Sequence, residues 1–158
     1  MSDFKQNIVL AGARRSGKHA LAAELCARLG LMQCGVGALL RYERQADKSV
    51  TATALCGRLK GYTGALFVLD EGSLSARALR LLSQNAYIFY VRLPRRELFR
   101  RYRADGGKLD EQAYGARIDK LESALGCVPY DALAALNKTP AELADAAEQR
   151  LKKLLGGK

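Results

Sequence analysis

The chain has 158 residues, enough for one ordinary domain with a substantial core, and no apolar run long enough to cross a bilayer. Its 26 Lys and Arg against 16 Asp and Glu leave a net charge of +10, which suits phosphate-rich ligands, nucleic acid or an acidic partner without choosing among them. Four irregularly spaced cysteines, with no Cys-x-x-Cys pair and one histidine in the chain, argue against a zinc site and for reduced, mostly buried thiols.

In chain order, Met1 to Gln6 lacks the charged-then-apolar layout of a signal peptide, so a soluble cytoplasmic protein is expected. The apolar run Asn7 to Ala11 predicts a strand, and it leads into Gly12-Ala13-Arg14-Arg15-Ser16-Gly17-Lys18-His19. That octapeptide fits the G-x-x-x-x-G-K-[ST] phosphate-binding loop at every position but the last. His19 to Leu29 then carries Leu21, Leu25 and Leu29 at helical spacing and stops at Gly30, a residue suited to a left-handed cap. The two glycines let backbone amides turn inward on a phosphate chain, the helix adds its positive end, and Lys18 supplies a mobile charge.

His19 stands where a magnesium ion would ask for a hydroxyl, and a neutral imidazole is a poor ligand for a small, hard cation. Three readings follow: Asp70 holds the metal through water, Arg14 and Arg15 replace part of its charge, or catalysis was lost while the fold remained. In a fourth, His19 is a helix-surface residue without a role.

Leu31 to Val36 is a second strand candidate, and Arg41 to Leu59 reads as helical with a break around Asp47-Lys48-Ser49. Ala65 to Asp70 and Tyr87 to Leu93 are nearly continuous apolar runs, as expected of strands covered on both faces. The alternation of strand and helix patterns predicts an α/β fold with a parallel sheet. Asp70, at the carboxyl end of its strand, falls on the ligand side of such a sheet, where a carboxylate can hold a metal-bound water or take a hydroxyl proton. The same residue could simply cap the next helix, and Glu71 could be solvated or activate water.

Pro94 opens a helix through Leu98, Phe99 and Tyr102 to Gly106-Gly107, on which Arg96, Arg100 and Arg103 share a face. That face could meet phosphate oxygens or only solvent. Asp131 to Asn137 sits where a fifth strand would complete the sheet, yet its Ala and Leu content favours helix. Thr139-Pro140-Ala141-Glu142 is a capping box for a last helix through Leu143, Ala147, Leu151 and Leu154, fraying at Gly156-Gly157-Lys158.

Together these residues resemble the shikimate kinase and nucleoside monophosphate (adenylate) kinase branch of the P-loop proteins, across nearly the whole chain. The resemblance rests on Ile8 to Gly30, Gly37-Ala38-Leu39-Leu40-Arg41, Asp70, Arg100-Arg101 and Thr139 to Leu143. It implies a three-layer sandwich with a five-stranded parallel sheet, one domain over 1–158 with a short lid at about 104–112, ATP as donor and Mg2+ as cofactor. By the same resemblance Gly12, Ala13, Arg14, Arg15, Ser16, Gly17, Lys18 and His19 hold the donor phosphates, and Asp70 organises metal water or serves as base. Arg41 orients the acceptor, and Arg100 or Arg101 closes over the transferring phosphoryl group.

The chain also departs from that pattern. Cys34-Gly35-Val36-Gly37 stands where shikimate kinases carry an acidic pair. Asp70-Glu71-Gly72 replaces both their triple glycine and the adenylate kinases' Asp followed by Gly-Phe-Pro-Arg. Neither family's substrate is inherited. The leading expectation is a small ATP-dependent phosphotransferase acting on a nucleotide or a shikimate-like alcohol. The alternative is a catalytically impaired kinase-fold protein that binds nucleotide, nucleic acid or an acidic partner, and a hydrolase using Glu71 is the third.

Overall fold

The computed structural model describes residues 6–70 and 75–156; Glu71 and Gly72, and with them the hydrolase reading of Glu71, lie outside the described residues, as do Gly157 and Lys158. The elements run β1 (Asn7–Ala11), α1 (Lys18–Leu29), β2 (Met32–Gly35), α2 (Val36–Ala46), α3 (Ala52–Leu59), β3 (Ala65–Leu69) and α4 (Ala76–Ser83). They continue with β4 (Ala86–Arg92), α5 (Arg95–Ala104), α6 (Glu111–Leu125), β5 (Asp131–Ala134) and α7 (Pro140–Gly156).

All five strands are parallel, in the order β2-β3-β1-β4-β5. Every residue of β1 and β3 is buried, which explains why both read as unbroken apolar runs. Alternate residues of the central strands feed two cores. Ile8 and Leu10 pack with Leu21 and Leu25 of α1 and Leu143 and Leu151 of α7, whereas Val9 and Phe67 pack with Leu55 of α3, Leu79 of α4 and Leu121 of α6. The result is a three-layer α/β sandwich. At its base the buried amide of Asn7 donates to Tyr62 O at 2.8 Å and accepts from the Ala65 N–H at 3.0 Å, fixing where β1 and β3 begin.

Four of the expected strands appear within a residue or two of their predicted ends. The leaning of 131–137 towards helix is corrected. Asp131 to Ala134 pairs with Phe89 to Arg92 of β4, and a ladder offered by a neighbouring strand outweighs the intrinsic preference of Ala and Leu. The helical stretch expected over 41–59 is two helices separated at the expected break around Asp47-Lys48-Ser49, the first beginning earlier at Val36, with Thr51 capping the second through the Ala54 N–H at 3.0 Å. The helix expected after Asp70 is α4, capped by Ser75 rather than Asp70, and α6 is an addition to the expected elements, although its Tyr114, Ile118, Leu121 and Leu125 form a buried stripe at helical spacing.

The expected caps are present. Gly30 ends α1 at φ 69°, and Thr139 and Glu142 exchange backbone-to-side-chain hydrogen bonds of 3.0 and 3.1 Å at the start of α7. All four cysteines are free thiols, but the expectation that most are buried is corrected: only Cys56 is buried, Cys26 and Cys34 are half-buried and Cys127 is exposed; partial burial pushes the Cys26 and Cys34 thiols up, and that of Cys56 to about 11.

Candidate phosphate-binding site

The loop between β1 and α1 leaves the sheet at the point where its neighbours lie on opposite sides, β3 on one and β4 on the other. Such a switch point opens a crevice beyond the carboxyl ends of the strands. The Gly12 N–H donates to Leu69 O at 3.1 Å, which holds the loop's first turn against β3. A Cβ at Gly12 would stand 2.8 Å from Ser16 Oγ and 3.1 Å from Val91 O, so only glycine allows the close passage. The loop then turns through left-handed conformations at Arg15 (φ 67°) and Gly17 (φ 92°), and α1 starts at Lys18. Gly17 takes that conformation freely; Arg15 does so at a cost of about 1–2 kcal/mol.

Lys18 is 1 % exposed, and its Nζ donates to Ala13 O at 3.1 Å, folding the side chain back across the loop. A cleft of about 550 Å³ opens there, lined by Arg14, Arg15, Lys18, His19, Arg41 and Asp70. Four of these carry positive charge and come from two elements: the loop with the start of α1, and α2, which supplies Arg41. Asp70 follows β3, and Arg14 Nε donates to its Oδ2 at 3.3 Å. His19 is held below the usual imidazole range, first by burial and then by the adjacent Lys18 charge, with Asp70 opposing.

Ser16 is not on the cleft wall. Its hydroxyl is buried beneath the loop against Gly12 and has no hydrogen-bond partner among the described residues.

Arg100 and Arg101 diverge, as neighbours on a helix must. Arg100 is clamped on Glu97 by hydrogen bonds of 2.7 to 3.0 Å, which hold the Glu97 carboxyl below its usual range. Arg101 instead donates to the backbone carbonyl of Arg15 at 2.7 Å. Neither lines the cleft. A contact that sequence reasoning missed joins the same place: the Arg15 side chain pairs with Asp105 at the end of α5. The clue was there in an acid, Asp105, closing an arginine-rich helix.

The segment read as a lid is a turn seated on tyrosine. The Tyr102 hydroxyl accepts the N–H groups of Lys108 and Leu109 at 3.1 and 2.9 Å, and its ring stacks on Tyr114 with centroids 4.5 Å apart. Gly107 lies so close over that ring that a Cβ would fall 2.3 Å from it.

The site fits a polyphosphate: a glycine-pinned loop, a helix start and converging cations. It does not fit Mg2+. Position 19 offers nitrogen rather than oxygen, Ser16 is buried against Gly12 and does not line the cleft, and Asp70 is engaged by a guanidinium. A second hollow of about 840 Å³, lined by Tyr42, Glu43, Asp47, Ser49, Val50 and Arg58 among others, lacks such convergence, since Arg58 pairs with Glu43.

No protein-family model matches the chain, and no curated protein matches it by sequence. Solved structures do match by shape. Shikimate kinase from Acinetobacter baumannii in complex with shikimate superposes with a TM-score of 0.70 at 16 % identity, over 97 % of this chain and 94 % of that one. The YorR protein of Bacillus subtilis in complex with phosphorylated GDP gives 0.75 at 13 %, covering 95 % and 98 %. A gluconokinase from Sinorhizobium meliloti 1021 gives 0.65 at 18 %, covering 96 % of each chain. The fold is therefore the shikimate-kinase-like P-loop fold, in a divergent sequence.

Proposed function

We propose that this chain, a shikimate-kinase-like P-loop fold, is a small phosphotransferase that moves a phosphoryl group from ATP to a small-molecule acceptor. The observation that carries the reading is the convergence of Lys18, Arg14, Arg15, Arg41 and Asp70 on one cleft at the carboxyl ends of β1 and β3. Kinase-fold neighbours that include sugar-acid and shikimate enzymes support it by analogy of fold.

In this reading the loop amides and Lys18 hold the donor phosphates. Arg41, reaching in from α2, orients the acceptor. The acceptor oxygen attacks the terminal phosphorus, the bond to the bridging oxygen breaks and ADP leaves; the acceptor's proton passes to Asp70. Arg14 and Arg15 counter the charge that builds on the transferring group. Most of the rate then comes from positioning and fixed positive charge. Arg101 takes part only after releasing the Arg15 carbonyl, and Arg100 only after releasing Glu97.

The test is ATP-dependent turnover across sugar acids, cyclic alcohols and nucleoside monophosphates, followed by ADP formation. Lys18→Ala should lower kcat/KM about 100-fold or more with an unchanged circular dichroism spectrum, as loss of a transition-state cation usually does. Parent-like turnover in that variant would sink the assignment.

A second reading is supported by His19 and by the Arg14–Asp70 pair: a kinase-fold protein that binds nucleotide without turning it over. ATP would then raise the melting temperature while no acceptor released ADP. Binding of nucleic acid through α5 has less in its favour, because Arg95, Arg100, Arg101 and Arg103 all hydrogen-bond within the chain.

A further inference from the structure

We infer that Arg101 is a positioning residue for the phosphate site, holding the peptide group between Arg15 and Ser16 so that the loop keeps its shape before any ligand arrives. The inference rests on the phosphate-site reading above and goes beyond it by giving Arg101 a role performed through the bond it already makes.

The loop needs holding. Among the described residues, Arg15 and Asn137 are the only non-glycine residues at positive φ. Asparagine takes that conformation readily, whereas the Cβ of an arginine there crowds the following carbonyl. The Ser16 N–H donates to Ala13 O at 3.2 Å and closes a turn whose third residue is Arg15. Positive φ at that place ordinarily calls for glycine or asparagine. A residue strained in this way persists only where its surroundings over-determine it.

The surroundings that do so belong to α5. Arg101 and Asp105 lie one turn apart and both meet Arg15, the first at its carbonyl and the second at its side chain. Arg101 Nη1 donates to the Arg15 carbonyl at 2.7 Å, and Glu97, one turn earlier, steadies the guanidinium with Oε2 3.8 Å from Nε. The helix is itself anchored, since Leu98 is buried in the core and Phe99 and Tyr102 pack against the same cluster.

A trans peptide group is planar, with its C=O and N–H pointing opposite ways. The group joining Arg15 to Ser16 is gripped at both ends, its oxygen by Arg101 and its N–H by Ala13 O. Arg101 does not line the cleft, so its bond draws the Arg15 oxygen to the outer side of the loop. Left to rotate, the same group would spend part of its time with that oxygen, the negative end of its dipole, towards a bound phosphate. Because the bond is to backbone, it survives whatever the Arg15 side chain does.

The experiment pairs amide exchange of the ligand-free full chain with calorimetric titration of inorganic tripolyphosphate, which has no base or sugar for Arg101 to touch. The Arg101 side chain is 35 % exposed, so its removal leaves the core intact. In Arg101→Met the Ser16 amide should exchange about tenfold faster while the amides of β1 and β3 keep the parent's rates. Tripolyphosphate should bind that variant about tenfold more weakly, the scale of one charge-assisted hydrogen bond. Arg101→Lys should return both readings to within about threefold of the parent, since one carbonyl needs only one donor. Arg103, whose guanidinium reaches the Gly107 and Leu109 carbonyls instead, controls for charge, and Arg103→Met should change neither reading. Weakened binding by Arg101→Met with parent-like exchange at Ser16 would overturn the inference, because Arg101 would then act on the ligand itself. Equal losses in Arg101→Met and Arg103→Met would overturn it as a general effect of charge. Parent-like binding by Arg101→Met would also overturn it, leaving the phosphate site intact. Absence of heat with the parent protein would instead remove the phosphate-site reading, and this inference with it.

Discussion

At the scale of single residues, two polar side chains do different work in the same buried strand-and-loop region. Asn7 satisfies a carbonyl and an N–H at the base of β1 and β3, so its amide sets the register of the sheet rather than any chemistry. Asn7→Ala strips the Ala65 N–H of its acceptor and leaves Tyr62 O with only the longer Asn85 amide contact at 3.4 Å, and should cost about 1–2 kcal/mol in urea unfolding, with nucleotide affinity unchanged. Lys18, at the other end of β1, was visible in the sequence because its motif is local: a strand, a glycine-bounded loop and a helix in one short stretch. The Arg14–Asp70 pair was not visible, since its partners lie 56 positions apart and meet only because β1 and β3 are neighbours. The split between Arg100 and Arg101 was equally hidden. Adjacent helical residues point about 100° apart, and which of them met the loop depended on how α5 was placed.

At the scale of elements, ends were better specified than interiors. The Thr139-Pro140-Ala141-Glu142 box, Gly30 and the apolar core strands carry their instructions in their own residues. β5 does not, because Asp131 to Ala134 becomes a strand only by pairing with β4. The capping box has a measurable consequence. The Thr139 N–H and hydroxyl side of the box hold Glu142 below its ordinary value of 4.5, so the folded state binds this proton less readily than the unfolded chain. Its contribution is complete above about pH 4.5 and fades as pH falls through the lower folded value. Protection factors at the start of α7, with the intrinsic pH dependence of amide exchange divided out, should therefore fall below pH 4.5, and Glu142→Gln should flatten that dependence; identical profiles in the two proteins would contradict the linkage.

At the scale of the whole molecule, the sheet order brings loop, α2 and the end of β3 to one cleft, and none of its described helices is long and apolar enough to cross a membrane. The same architecture sets the end of α5 against the loop tip, where Arg15 meets the Asp105 carboxylate and Arg101 grips the Arg15 carbonyl. The proposed anion site thus faces a tethered rival. A carboxylate fixed in the chain acts at high effective concentration, and any incoming phosphate that uses Arg15 must displace it. Removing that rival should favour the ligand. Asp105→Asn is expected to tighten ATP binding about two- to fivefold, the scale of one exposed ion pair, chiefly through faster association in stopped-flow measurements. Slower association in that variant would mean that Asp105 props the loop open rather than competing for it. Affinity at the proposed site is then a net quantity, the ligand's hold on Arg15 less the protein's own.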